Sequence, residues 1–120
     1  AVLYLYCFNQ SGGGTMMNLD RVTSAWNWRI SGTGCDRLRL WWADRPSATP
    51  WGANPIPNAT MGQWYAVDIT ALYNAWQSGT YPNFGVQFRP VNYSANNFNE
   101  FYSADYAGDL SLRPKLVITK

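Results

Sequence analysis

The sequence predicts an all-β domain, a jelly-roll-like β-sandwich of about seven to eight antiparallel strands with one short helix near residues 70–78. Several short runs alternate apolar and polar residues, as strands half-buried in a sheet do. Turn-forming clusters rich in Gly, Pro, Asn and Ser separate them. A single stretch, after Val67, changes to helical spacing. At 120 residues the chain is one domain, 1–120, large enough for one core.

Val2–Phe8 opens as a strand in which Tyr and Leu alternate. It is apolar on both faces, so it is expected to be buried on both or pressed against a partner. After the turn SGGG, Met16–Thr23 reads as a second strand, and the two are expected to form a hairpin. Ser24–Trp28 places Trp26 and Trp28 on one face of an extended segment. Arg37–Trp42 alternates cleanly, with Leu38, Leu40 and Trp42 opposite Arg37, Arg39 and Trp41.

Ala43–Gly62 is interrupted by Pro46, Pro50, Pro55 and Pro57 and reads as a long irregular loop, with Trp51 at its centre. A loop of that length in a compact domain usually has a role of its own. Trp64–Ile69 is the next strand and runs directly into the helix. Asp68 or Thr70 can cap that helix, and Leu72 and Trp76, four apart, share its apolar face. Gly79 stops it in a left-handed conformation, and Pro82 prevents its resumption. So short a helix is not stable alone and must lean on a sheet. Gly85–Phe88 returns to alternation, Phe98–Tyr102 is a short strand, and Leu112–Thr119 is the last.

Charged residues make up 13% of the chain and aromatics 17%. The charged share is about half that of an ordinary globular domain, which favours an extracellular β-protein over an intracellular enzyme. Net charge is +2, and the nine Lys and Arg are scattered; Arg37, Arg39 and Arg45 stop short of a basic stripe, so nucleic acid is disfavoured as a partner. No run approaches the roughly 18 apolar residues of a membrane span. The chain shows no signal peptide and starts on a strand without Met, as a mature, processed or excised segment would. Cys7 and Cys35 could form one disulfide, worth about 3 kcal/mol for a loop of that length, or stay as two buried thiols.

Catalysis is not expected. The chain has no His, which removes imidazole triads and imidazole metal sites. Its seven acids form no recognisable carboxylate pair of the kind a glycosidase needs.

Three pieces together, "AVLYLY", "RVTSAWNW" and above all "VDITALYNAWQSGTYPNFGVQF" with the closing "FYSADYAGDLSLRPKLVIT", resemble the DNRLRE-type domain. That family consists of extracellular β-sandwich modules and includes an alginate-binding class of carbohydrate-binding module. The resemblance spans most of the chain and is carried by the order and spacing of the pieces. It departs from the family in two places. The family usually has further strands before the one matched by "AVLYLY", where this sequence starts, and Trp28 stands where an acidic residue is common. A sandwich lacking those strands would expose unpaired backbone groups and an apolar face, to be covered by a further segment, a neighbouring subunit or a strand from another chain.

The resemblance implies a non-catalytic, secreted or cell-surface module that binds polysaccharide. Sugar binding needs flat aromatic faces with polar groups on the rim. The candidates are Trp41, Trp51 and Tyr81, with Asn54, Asn83 and Arg45 as polar partners. Trp26, Trp64 and Trp76 are read as core, and Arg89 and Arg113 as strand-end charges that could also meet a sugar carboxylate. Asp105 and Asp109 could hold a structural calcium; no other cofactor is expected. Asn9, Asn58 and Asn92 begin Asn-x-Ser/Thr triplets in loops. The alternative is a self-assembling subunit of an extracellular fibre, whose partners would be copies of itself or a larger secreted protein.

Overall fold

The opening alternation becomes the longest of the described strands, β1 (Val2–Ser11), in a computed structural model that describes residues 1–25, 46–52, 56–91, 97–104 and 106–120. Trp26, Trp28, the strand expected at 37–42, Cys35, Trp41, Arg45, Asn54, Asn92 and Asp105 lie outside the described residues. The remaining elements are β2 (Met17–Val22), β3 (Ala48–Pro50), β4 (Gln63–Asp68), α1 (Thr70–Gln77), β5 (Val86–Pro90), β6 (Phe98–Phe101) and β7 (Lys115–Val117). A 3₁₀ turn at Leu110–Leu112 precedes β7. The chain is an all-β sandwich with one short helix: seven strands among the described residues, in two antiparallel sheets.

The first sheet is built around β1. One edge of β1 pairs with β4, from Val2 opposite Asp68 to Cys7 opposite Gln63. Its other edge takes β7 beside Val2–Tyr4 and then β6 beside Cys7–Ser11. The register slips by one residue at Phe8, a β-bulge. Period-two geometry turns Leu3, Leu5 and Cys7 inward and Tyr4, Tyr6 and Phe8 outward. The second sheet has the order β3–β2–β5, with Leu19 opposite Phe88 and Val22 opposite Ala48.

Leu5, Leu19, Ile56, Val67, Ile69 and Leu72 form the buried core between the sheets, with Leu3, Met17, Trp76, Val86, Phe88 and Phe101 packed around it. Helix α1 closes one end of this layer and contributes Leu72, which is 0% exposed. Its termination follows the expected chemistry. Gly79 adopts φ 76°, Gly79 N–H donates to Trp76 C=O at 3.2 Å, and Thr80 N–H to Ala75 C=O at 3.0 Å. Those two bonds define a Schellman end, which satisfies carbonyls the last turn would leave free.

Three expectations are corrected. β1 and β2 do not form a hairpin; they belong to different sheets. Gly12, Gly13 and Gly14 all take positive φ (63°, 83° and 76°), and this run turns the chain from one layer into the other. Asn99 locks the corner, accepting from Thr15 N–H at 2.9 Å and donating to Thr15 C=O at 2.6 Å. Second, the Pro-rich stretch is not wholly irregular. β3 lies within it, Ile56 exchanges backbone bonds of 2.8 and 2.6 Å with Met17, and Ile56 and Ala59 are buried. Third, Trp64 is not core. Val67 faces inward, so period two sends Trp64 to the outer face, where it is 37% exposed.

Cys7 is a free cysteine in the structure, and Cys35, its partner in the disulfide weighed from the sequence, lies outside the described residues. Cys7 is fully buried, and its Sγ donates to Asn9 C=O at 3.2 Å, across the bulge at Phe8.

Candidate functional site

Trp51 leaves the end of β3 as the chain turns off the edge of the second sheet. Its N–H donates to Leu19 C=O at 3.1 Å, and its indole leans, half-buried, on the core. Tyr81, beyond the helix stop, meets it edge to face, with centroids 5.9 Å apart and planes at 87°. The Arg21 guanidinium lies 3.8 Å from the Tyr81 ring centre, a cation–π contact from the neighbouring strand. Two of the three aromatic candidates, Trp51 and Tyr81, are thus brought together from positions 30 residues apart in the sequence.

Beside Trp51 opens a cleft of about 580 Å³, rimmed by Asp68, Thr70, Ala71 and Asn74 from the start of α1 and by Gly52 and Leu19. The strand-to-helix junction sets this rim. Asp68 Oδ1 accepts from the Thr70 hydroxyl at 2.6 Å and from Thr70 N–H at 2.9 Å, which holds the first helical turn. Those two hydrogen bonds, the hydroxyl first, hold the Asp68 carboxyl below its ordinary range, so it is anionic at neutral pH. The cleft thus brings an indole together with a carboxylate and an amide, while the Thr70 hydroxyl is spent locally, donating to Asp68 and accepting from the Ala1 amino group at 2.8 Å.

Asn83 lies elsewhere. Its Oδ1 accepts from Gly85 N–H at 3.0 Å, so the side chain builds the turn into β5. Asp109 also has a local role: its Oδ1 accepts from Ser111 N–H at 3.0 Å and Ser111 Oγ at 2.6 Å, capping the 3₁₀ turn and lowering its pKa. Among the described residues no three His, Cys, Asp or Glu side chains group closely enough to hold a metal.

A second cleft, about 590 Å³, lies over the outward face of the second sheet. Asp20, only 3% exposed, forms its floor and accepts from Arg89 Nε at 3.0 Å and Gln87 Nε2 at 3.2 Å. Arg89, expected at a strand end, is thereby turned toward a buried carboxylate, and hydrogen bonding to Asp20 raises its pKa further. A guanidinium committed in this way offers less to a sugar carboxylate than a free one.

The outward face of the first sheet carries a feature the sequence reading did not single out. Trp64, Tyr6, Tyr102, Phe8 and Tyr106 form one continuous aromatic row. The ring centroids of Tyr102 lie 4.4 Å from Phe8 and 3.8 Å from Tyr106, with planes within 17° and 12°. Lys115 Nζ sits 4.5 Å above the Trp64 ring. These ring faces are turned toward one another or capped, which leaves less flat surface for a sugar than their number implies. The alternation Tyr4–Tyr6–Phe8 was the available signal; the contribution of Tyr102 and Tyr106 depends on β6 lying beside β1.

No family model, curated protein or solved structure matches the chain. The likeness to the DNRLRE-type domain rests on the sequence motifs quoted above.

Proposed function

We propose that this chain is a non-catalytic, extracellular module that binds polysaccharide in the cleft beside Trp51. The observation that carries the reading is the pairing of a half-buried indole with the Asp68, Thr70 and Asn74 rim. The likeness to DNRLRE-type modules supports the same reading. An aromatic wall supplies apolar stacking area, and rim groups fix the orientation of the sugar hydroxyls. Affinity electrophoresis through gels containing neutral or acidic polysaccharides tests it. Retardation by at least one polysaccharide is expected, and Trp51→Ala should weaken it about tenfold, the loss of one well-packed aromatic contact. Unchanged retardation of Trp51→Ala would remove this site.

A second reading, a self-assembling fibre subunit, is favoured by one specific observation. Leu110, Leu116, Val117 and Ile118 are exposed on and around β7, which among the described residues pairs on one side only, with β1; Leu116 is 47% exposed. An apolar sheet edge is a template for strand addition by another chain. Negative-stain microscopy and light scattering separate the two readings: filaments that survive dilution support the fibre, and a concentration-independent monomer supports the solitary module.

A further inference from the structure

The aromatic row ends in a pair that the glycan reading does not use. Tyr102 and Tyr106 are stacked at 3.8 Å with planes 12° apart, closer than the other ring pairs described. Their backbones are pinned independently of the rings. Tyr102 N–H donates to Tyr6 C=O at 3.3 Å, Tyr106 N–H to Ser103 C=O at 3.2 Å, and Arg113 Nε to Tyr106 C=O at 2.7 Å. The Tyr106 ring also lies directly on Gly108, so close that a Cβ there would collide with its hydroxyl end. Gly108 has no positive φ, so its lack of a side chain matters for space and not for backbone conformation.

We propose that Tyr102 and Tyr106 are an oxidative cross-linking site, coupling to one another as an intrachain dityrosine when a one-electron oxidant acts on the chain. The oxidant class is a haem peroxidase consuming hydrogen peroxide. Each phenol gives up one electron and its hydroxyl proton, and the peroxide takes up the two electrons and two protons and becomes two waters. The two phenoxyl radicals then join through the ring carbons ortho to oxygen. One C–C bond forms, the two C–H bonds at those carbons break, and their protons return to the oxygens as the rings regain aromaticity. The stack supplies the proximity. Two radicals held in contact couple far faster than radicals on separate chains can meet. Hydrogen bonding to Tyr106, followed by burial, raises the Tyr102 phenol above its ordinary range and keeps it protonated at neutral pH. Tyr6 stands 5.9 Å from Tyr102 and 5.3 Å from the exposed Trp64, so oxidation at the rim of the row has a short path of rings to the pair.

The chain itself provides a clean readout. Glu100 is its only glutamate, and cleavage there releases residues 101–120, in which Tyr102 and Tyr106 are the only tyrosines. After treatment of the full chain with peroxidase and hydrogen peroxide, monomeric protein should show blue dityrosine emission. The 101–120 segment should be lighter by two hydrogens. Tyr102→Phe and Tyr106→Phe should each abolish that mass change while keeping the wild-type circular dichroism. Gly108→Ala retains both phenols but displaces one ring, and should lower the yield about tenfold through lost proximity. The proposal is overturned if 101–120 keeps its mass, if dityrosine appears only in cross-linked dimers, or if Gly108→Ala reacts like the parent chain. None of these outcomes depends on whether the chain binds a glycan.

Discussion

Leu72 is the side chain whose loss the core should feel most. It is fully buried in one cluster with Leu5 and Val67 of the first sheet and Leu19 of the second, so Leu72→Ala removes apolar contact and leaves a cavity. A loss of about 2–5 kcal/mol is expected, read from urea unfolding midpoints. Its burial was legible in the sequence, because the spacing to Trp76 defines one helical face. The Trp76 side chain does join the core, but its indole Nε1 is buried without a hydrogen-bond partner among the described residues. A Trp at this position fills volume at a polar cost that spacing alone does not reveal. At the surface, Asp68 and Asp109 share one device, a carboxylate held by a hydroxyl and an N–H two residues on. Both pKa values are lowered in the folded chain, so their contribution is present above the ordinary carboxylate value of about 4 and is lost as pH falls through the folded values. Thermal unfolding followed from pH 7 into this acid range should show falling stability, and the double variant Asp68→Ala, Asp109→Ala should flatten that limb.

At the level of elements, the decisive piece is the corner Gly12–Gly14. Hydrophobic alternation identifies β1 and β2 but says nothing about whether they pair, and SGGG suits a hairpin as readily as a crossing between layers. What excludes the hairpin is tertiary contact. A Cβ on Gly14 would stand 2.6 Å from Ala59 O and 2.8 Å from Asn99 Oδ1, both distant in sequence. Gly14→Ala combines that collision with a positive φ and should destabilise by about 1–3 kcal/mol, whereas Gly13→Ala meets open space and should suffer from its φ alone. Comparing the two variants by chemical denaturation separates packing from backbone strain. The helix behaves differently: its face and its Gly79 stop are local and were readable before the fold was known. The sequence leaves its start between Asp68 and Thr70; the N-cap is Ile69, without a side-chain cap bond, and Asp68 accepts from Thr70 N–H one residue further out. The strand β3 was not readable, because three residues between prolines carry no periodicity; it exists because β2 offers an edge to pair with.

For the whole molecule, the exposed apolar group on and around β7 departs from a closed sandwich among the described residues. Leu116 pairs with Leu3 in register, yet it remains 47% exposed while Leu3 packs on the core. If this surface drives self-association, Leu116→Lys should reduce it, because charge on an edge strand opposes further strand addition. Analytical ultracentrifugation across a concentration series checks this, the parent chain associating and the variant staying monomeric. Local pattern by itself determined the all-β class, the place of the helix and its stop, and the alternation that makes β1 amphipathic between aliphatic and aromatic faces. These are consequences of side-chain period and backbone conformational preference, which act over a few residues. Tertiary structure alone decided that β1 and β2 part company, that Trp64 faces outward, that Cys7 is a free buried thiol and that Asp20 holds Arg89. It also brought Trp51 to Tyr81 and Tyr6 to Tyr102. Each of those follows from which strands lie side by side, a choice set by the burial of the whole core and not encoded in any one stretch.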